Sequence, residues 1–281
     1  MSAATGMADE PAPDRGHPLP AGMRGQGGRL DDDPPPVEWL NPDSASPVLL
    51  LCEHAGQAIP AQLAGLGLSE GVIDLHIGWD IGAERLARSL AVTLGAPLIL
   101  QRYSRLVIDC NRPPGSAGSI PEVSDHVAIP GNQRLGPEAR AQRKARIFDP
   151  LDAAIAEGFA RAPRRAAFSV HTYTRQMHRG ERRRWDAGFL CRRDLGAARI
   201  FVETIARARP DLTLAVNQPY RIEESGDWFI PRHAEPRGLR HSLIEVCNDQ
   251  LQTEAQVALW SGLLARAIDA VLRATPGALG R

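Results

Sequence analysis

The chain has no net charge: 33 lysines and arginines cancel 33 aspartates and glutamates. That balance removes the global field that would draw nucleic acid or an anionic membrane, so neither partner is expected, and an anionic substrate must be held by local arginines. Cysteine is scarce. Cys52, Cys110, Cys191 and Cys247 are far apart and form no Cys-x-x-Cys pair, so they read as reduced, mostly buried thiols of a cytoplasmic protein. No apolar run approaches the roughly 20 residues that span a bilayer, and the N-terminus lacks the charged-then-apolar layout of a signal peptide. Also missing are a phosphate loop, a dinucleotide glycine fingerprint, a His-Glu-x-x-His helix and a Gly-x-Ser-x-Gly elbow, which removes support from four common enzyme classes.

What is present is the composition of a globular protein, 43% hydrophobic and 23% charged. Residues 1 to 46 stand apart, with eight of the 23 prolines, six of the 26 glycines and almost no apolar periodicity. Such a segment cannot bury enough surface to offset its ordering entropy, so a largely disordered tail is expected, with Val37-Glu-Trp-Leu40 the one stretch suited to dock on the domain. From 47 to 277, strand-like and helix-like segments alternate without an internal repeat. This predicts α/β architecture, a single three-layer domain around a mixed, mostly parallel sheet. Strands are predicted at 47–53, 97–101, 105–109, 166–171, 187–192, 213–216 and 241–247. Leu86, Leu90 and Leu94 at four-residue spacing, followed by Gly95, predict a helix over 81–94 with Asp80 at its N-cap. Residues 136–147 read as a helix with Arg140, Arg143, Lys144 and Arg146 on a solvated face, broken at Asp149-Pro150 before a second helix to Ala160. A last helix over 253–272 opens with a capping-box pair, Thr253 and Gln256, and carries Val257, Trp260, Leu264, Ile268 and Val271 on one stripe.

Chemistry concentrates at strand ends. The apolar run from Val48 ends in Glu53 and His54, and Phe168-Ser-Val-His171 repeats the pattern, placing imidazoles where open α/β sheets hold catalytic groups. Two such histidines point to a metal hydrolase, because a catalytic zinc takes three N or O ligands and keeps a position for water; the alternative for each is a hydrogen-bonded structural residue. Glu53 reads as a ligand, as a partner to an imidazole, or as a core-edge ion pair. Gln57 stands where His-x-x-Glu enzymes have a carboxylate, so another acid must serve. Asp80 is the best candidate, with a plain N-cap as its other reading.

Arg105, Asp109, Asn111 and Arg112 crowd a segment that should otherwise be an apolar strand. Guanidinium forks suit a substrate carboxylate, and ion pairing with Asp109 is the competing reading. In 240–247, alternation puts His241, Leu243, Glu245 and Cys247 on one face. An inward carboxylate in an apolar strand is expensive unless paired or functional, so Glu245 reads as a general base. His241 lies about 13 Å from it along the strand, too far to share one small site. The stretch Asp227 to Gly238 has the polar and aromatic mixture of a substrate rim, in which His233 reads as an oxyanion or substrate contact. His17, His126 and His178 receive no role.

The segments CEHAGQAIP (52–60), HIGWDIGAERLA (76–87), LQRYSRLVIDCNRP (100–113), SIPEVSD (119–125), SVHTYT (169–174), NQPY (217–220) and the run from Asp227 to Asp249 together resemble the N-formylglutamate amidohydrolase family over essentially everything after the tail. The resemblance implies a fold similar to the zinc carboxypeptidases and aspartoacylases, that is, phosphorylase/hydrolase-like. It implies a zinc-dependent amide hydrolase that releases formate from N-formyl-L-glutamate, as in histidine degradation. It further implies His54, Asp80 and His171 as ligands of Zn2+, Glu245 as general base, and Asn111 with Arg112 as a clamp on the substrate carboxylate. Relatives often carry an arginine two residues after that glutamate, where this chain has Cys247, which leaves substrate choice more open than reaction type. A different N-acyl amino acid is therefore one alternative, and a catalytically silent metal- or ligand-binding protein on the same scaffold is another.

Overall fold

The computed structural model describes residues 33 to 274. The expected tail up to residue 32, His17 within it, and the end of the expected domain at 275–277 lie outside the described residues.

Among the described residues nine strands follow in chain order: β1 (Val37–Leu40), β2 (Val48–Cys52), β3 (Leu98–Gln101), β4 (Val123–Ser124), β5 (Val127–Ala128), β6 (Ala166–Tyr173), β7 (Ala187–Leu190), β8 (Leu214–Val216) and β9 (Arg240–Cys247). Seven build one sheet in the order β1-β3-β2-β6-β9-β7-β8, and β4 with β5 makes a separate hairpin. β3, β2, β6 and β9 are mutually parallel, while β1 on β3 and β7 on β9 are antiparallel. Helices α1 (Ala83–Leu94), α4 (Leu195–Ala208) and α5 (Glu254–Arg273) cover one face; α2 (Pro137–Arg143) and α3 (Asp149–Ala160) lie on the other. The predicted three-layer α/β domain is what the chain forms.

Strand alternation sorts the two cores. Val48, Leu50 and Cys52 face the α1/α4/α5 layer, whereas Leu49 and Leu51 face the α3 layer. In β9, Ile244 and Val246 enter the first core and Leu243 the second, which leaves Glu245 on the α3 side. α5 opens with the expected capping box of Thr253 and Gln256 and buries Val257, Trp260, Leu264, Ile268 and Val271. Full burial of such side chains contributes about 1.5–3 kcal/mol each. Among the described residues α5 alone is long and apolar enough to cross a membrane, and its apolar stripe lies in the core.

Four expectations need correction. Val37–Leu40, assigned to the tail, pairs with β3 as an edge strand, so the sheet recruits part of the segment given to residues 1–46. Residues 105–107 form a turn and 108–109 run irregularly instead of as a strand: the Ser104 carbonyl accepts from Val107 N–H, and Leu106, Val107 and Ile108 are buried in the α3-side core. Their apolarity serves packing of an irregular segment. No break occurs at Asp149-Pro150, because a π-helical turn over Lys144–Phe148 carries α2 into α3 and Pro150 falls in the first turn, where its missing N–H is tolerated. Arg143 is not on a solvated face; it is buried and donates to the carbonyls of Val107 and Gly131 and to Asn132 Oδ1.

Because β2, β6 and β9 run the same way, their carboxyl ends open at one edge of the sheet, the place where parallel α/β sheets collect ligands.

Candidate active site and metal centre

At that edge lies a cavity of about 980 Å3, with His54, Asp80, His171 and Glu245 in its lining. His54 stands just beyond β2, and His171 is inside β6. Asp80 is drawn in from the segment before α1, where its N–H donates to the His54 carbonyl at 3.0 Å. It is not the N-cap of α1: Gly82 holds that position in a left-handed conformation, φ 87°, with no side-chain cap. The carboxylate is thereby left for other partners. Oδ2 accepts from Thr172 N–H at 3.3 Å and lies 2.8 Å from His171 Nδ1 and 3.4 Å from His54 Nδ1.

Each imidazole has a second carboxylate at its outer nitrogen. His54 Nε2 is 2.8 Å from Asp109 Oδ1, and His171 Nε2 is 3.1 Å from Glu53 Oε2, which also accepts from the Ser169 hydroxyl. Arg105 bridges the set, with Nε and an amino group on Asp109 Oδ2 at 3.1 and 2.8 Å and the other amino group on Asp80 Oδ1 at 3.1 Å.

This arrangement fits a metal ion. One donor atom from each of His54, Asp80 and His171 lies within 4.8 Å of the others, and all three residues are buried. His54 Nε2 is hydrogen-bonded to Asp109, whereas His171 Nε2 is 3.1 Å from Glu53 without forming a hydrogen bond; with protons on both outer nitrogens, both Nδ1 lone pairs turn toward Asp80, the carboxylate–histidine–metal pattern common in metalloenzymes. His54 Nδ1 and His171 Nε2 are both buried with no hydrogen-bond partner, so the cluster has ring nitrogens to spare for a ligand. Two imidazoles with one carboxylate suit zinc. Of the three readings for Glu53, the geometry selects the partner to an imidazole. Gln57 is directed elsewhere, donating to Asp74 and the Ile73 carbonyl.

The electrostatics agree. Burial and Arg105 push His54 down, yet Asp109 and Asp80 outweigh them and its pKa ends raised. Burial likewise lowers His171, but Glu53 and Asp80 lift it well above the ordinary value. Burial would raise Asp80, and the two histidines hold it well below the usual carboxylate range. Asp109, which burial would also raise, is held far down by Arg105 and His54. The hole therefore favours positive charge, supplied by protons or by a divalent cation.

Glu245 stands apart from these acids. It is the β9 register partner of His171 in β6, and its Oε2 is buried with no hydrogen-bond partner. Burial raises its pKa to about 7, with His171 pulling down and Asp80 pushing up. Its neighbour on the other side is Gly188 in β7. A Cβ at Gly188 would sit 1.5 Å from the Gln218 carbonyl oxygen, so only glycine lets residues 217–220 pack against the strand there. Asn217 pins that segment: its N–H donates to the Phe189 carbonyl and its Oδ1 accepts from Cys191 N–H. Asn217 through Tyr220 thus line the cavity together with Glu245.

The other sequence-predicted residues fare unevenly. Arg105, Asn111 and Arg112 all line the cavity. Arg105 is committed to Asp109 and Asp80, as the ion-pair reading held. Asn111 is committed as well: Oδ1 accepts from Trp228 and Phe229 N–H and Nδ2 donates to Asp227, so its amide anchors the cavity wall instead of a ligand. Arg112 donates one amino group to the Gly226 carbonyl. His233 is not among the lining residues. It is buried beside the rings of Phe159 and Phe229, with Nε2 2.7 Å from Asp152 Oδ1, because residues 230–237 coil into short helical turns packed on the α3-side core. The rim lies earlier than expected, at 217–227 instead of 227–238.

Sequence reasoning gave no role to Asn217, Tyr220 or Gly188, and it treated Asp109 only as an arginine partner. Asp109 and His54 are 55 positions apart, and no local pattern announces their bond. The NQPY segment carried the one usable signal, polar turn residues directly after a strand.

No curated protein matches the chain. Among solved structures, a gene product of Agrobacterium tumefaciens is 33% identical with a TM-score of 0.80, covering 86% of this chain and 96% of that one. An N-formylglutamate amidohydrolase from Ralstonia eutropha is 18% identical with a TM-score of 0.64, covering 85% and 99%. At that identity it speaks for the fold alone. The model of the N-formylglutamate amidohydrolase family matches residues 46–251, a span that includes every cavity-lining residue just described, and the chain belongs to that family.

Proposed function

We propose that the chain is a metal-dependent amide hydrolase that cleaves N-formyl-L-glutamate to formate and L-glutamate, with His54, Asp80 and His171 holding zinc. The observation that carries this reading is Glu245, a buried carboxylate beside His171 with one oxygen unpartnered. A zinc ion bound at such a donor set polarises an amide carbonyl and acidifies water. Glu245, with its pKa raised to about 7, is suited to take a proton from water at neutral pH and hand it to the departing nitrogen. Arg105 keeps Asp109 ionised and the two histidines keep Asp80 so, and the hold of these carboxylates on the imidazoles orients the rings. Arg112, anchored to Gly226, presents its remaining donors to the substrate carboxylate.

The identity of the amino acid is the finer part of the proposal. Cys247 is fully buried and is not among the lining residues, so no cation reaches the cavity from that position, which favours a broader N-acyl amino acid range as the second reading. All four cysteines are free and buried, with thiol pKa values raised by burial, which supports a reducing, cytoplasmic setting. The test is formate release from N-formyl-L-glutamate by metal-analysed protein, chelator-treated protein and zinc-restored protein. Activity that disappears and returns with zinc supports the whole reading. Bound zinc without formate release rejects the substrate and turns attention to other N-acyl amino acids.

A further inference from the structure

The cavity is large for the substrate just named. N-formylglutamate has about a dozen non-hydrogen atoms, whereas pockets of roughly 300–1,000 Å3 enclose drug-sized ligands. At about 980 Å3 this one stands at the top of that range. Its mouth is also cationic. Arg221 lines it, is exposed, and pairs with no carboxylate among the described residues. The segment after β6 runs along the same mouth: Thr174 and Met177 line the cavity, and Arg183 lies 5.6 and 4.8 Å over the rings of Tyr173 and Tyr220, which line it too. That segment also exposes Arg179, Arg182 and Arg184. Against these cations, among the described residues, stand the exposed Glu181 and Glu223 and the half-buried lining residue Asp227, while Asp125 is taken by His76 and the His178 N–H. Arg105, the guanidinium nearest the histidines, is already matched by Asp80 and Asp109.

We infer that the preferred substrate is an N-acylated acidic peptide, its acyl amide beside Glu245 and its further carboxylates running out along Arg221 and the arginine-rich segment 179–184. The inference rests on the reading of the site as an N-acyl amino acid hydrolase and extends its substrate class. In the reaction the oxygen of water bonds to the acyl carbon as the C–N bond breaks. The acyl group leaves as its carboxylate, and the freed nitrogen takes up a proton as the amino terminus of the peptide. No oxidant or second reactant is needed. An extension with an amide in place of its side-chain carboxylate would fill the same volume with one charge fewer for the cations, so charge separates this proposal from mere room.

The zinc-loaded protein is assayed for formate release from N-formylglutamate, N-formyl-glutamyl-glutamate and N-formyl-glutamyl-glutamine. The acidic dipeptide is expected to exceed N-formylglutamate in kcat/KM by about tenfold, with the amide dipeptide well below it. Raising salt from about 50 mM to about 500 mM should erode that advantage, because the pairs are exposed. The combined variant Arg179→Ala, Arg182→Ala, Arg221→Ala, whose changes are all at exposed positions, should shrink the ratio of acidic dipeptide to N-formylglutamate severalfold. Cleavage of N-formylglutamate with no gain on the acidic dipeptide overturns the inference and leaves the site reading standing. So does a gain that the glutaminyl dipeptide, one carboxylate poorer, shares or that the arginine variant retains. Failure to cleave any of the three overturns both.

Discussion

His171 and Glu245 are register partners on adjacent parallel strands, so a histidine turned toward Asp80 and an unpartnered carboxylate stand side by side on one face of the sheet. Proximity here is a property of backbone pairing. A loop that moved would not change it.

Glu245→Gln keeps the shape and removes the base. Turnover of N-formylglutamate should fall by about 10²–10⁴-fold while zinc per chain stays the same, as read by a formate assay and metal analysis on one sample. Wild-type turnover in the variant removes Glu245 from the mechanism; no turnover in either protein, with zinc bound in both, favours a binding role.

The same carboxyl makes the metal-free fold sensitive to pH. Its pKa is raised from 4.5 to about 7 by burial, so the folded chain holds this proton more tightly than the unfolded chain does. Its contribution to stability is fully present below the unfolded value and is lost as pH rises through 7, a loss of a few kcal/mol at about 1.4 kcal/mol per unit. Chelator-treated Glu245→Gln should therefore melt above chelator-treated wild type at about pH 8, with the gap closing toward about pH 5. Equal melting curves at the higher pH would mean that this carboxylate is well solvated.

Asp109→Asn leaves His54 Nε2 facing an amide in place of a carboxylate. Zinc affinity should drop by about 10–100-fold, measured by competition with a chromogenic chelator. An unchanged affinity would show that the His54 ring is oriented by something else.

Gly188→Ala drives a methyl group into the Gln218 carbonyl. Relief requires residues 217–220 to lift, so kcat/KM should fall and the melting temperature should drop, since overpacking of this kind costs about 1–3 kcal/mol. Kinetics and melting curves within error of wild type would place that segment elsewhere.

The parts of the site written in one run of sequence were readable. His54, His171 and Glu245 each interrupt or end an apolar strand, and a polar group at such a position needs a physical reason. Asp80 was found as a carboxylate, but its N-cap reading failed because Gly82 supplies the left-handed entry to α1. Residues 105–109 were misread because a buried turn and a buried strand ask for the same apolar side chains; the difference lies in where the backbone hydrogen bonds go. His233 was misread because short helical turns look like rim until packing draws them inward. The supports, Asp109 under His54 and Gly188 under Gln218, join distant segments, and only the folded sheet brings them together.

Val37–Leu40 has one more consequence. By pairing with β3 it covers the backbone groups of Leu98–Gln101 at one margin of the sheet, while the other margin ends in β8, only three residues long. Bare, lengthy strand margins are the surfaces through which folded proteins template onto one another and aggregate. With β1 of four residues at one margin and β8 of three at the other, each edge of the sheet offers little backbone for a second molecule to pair with.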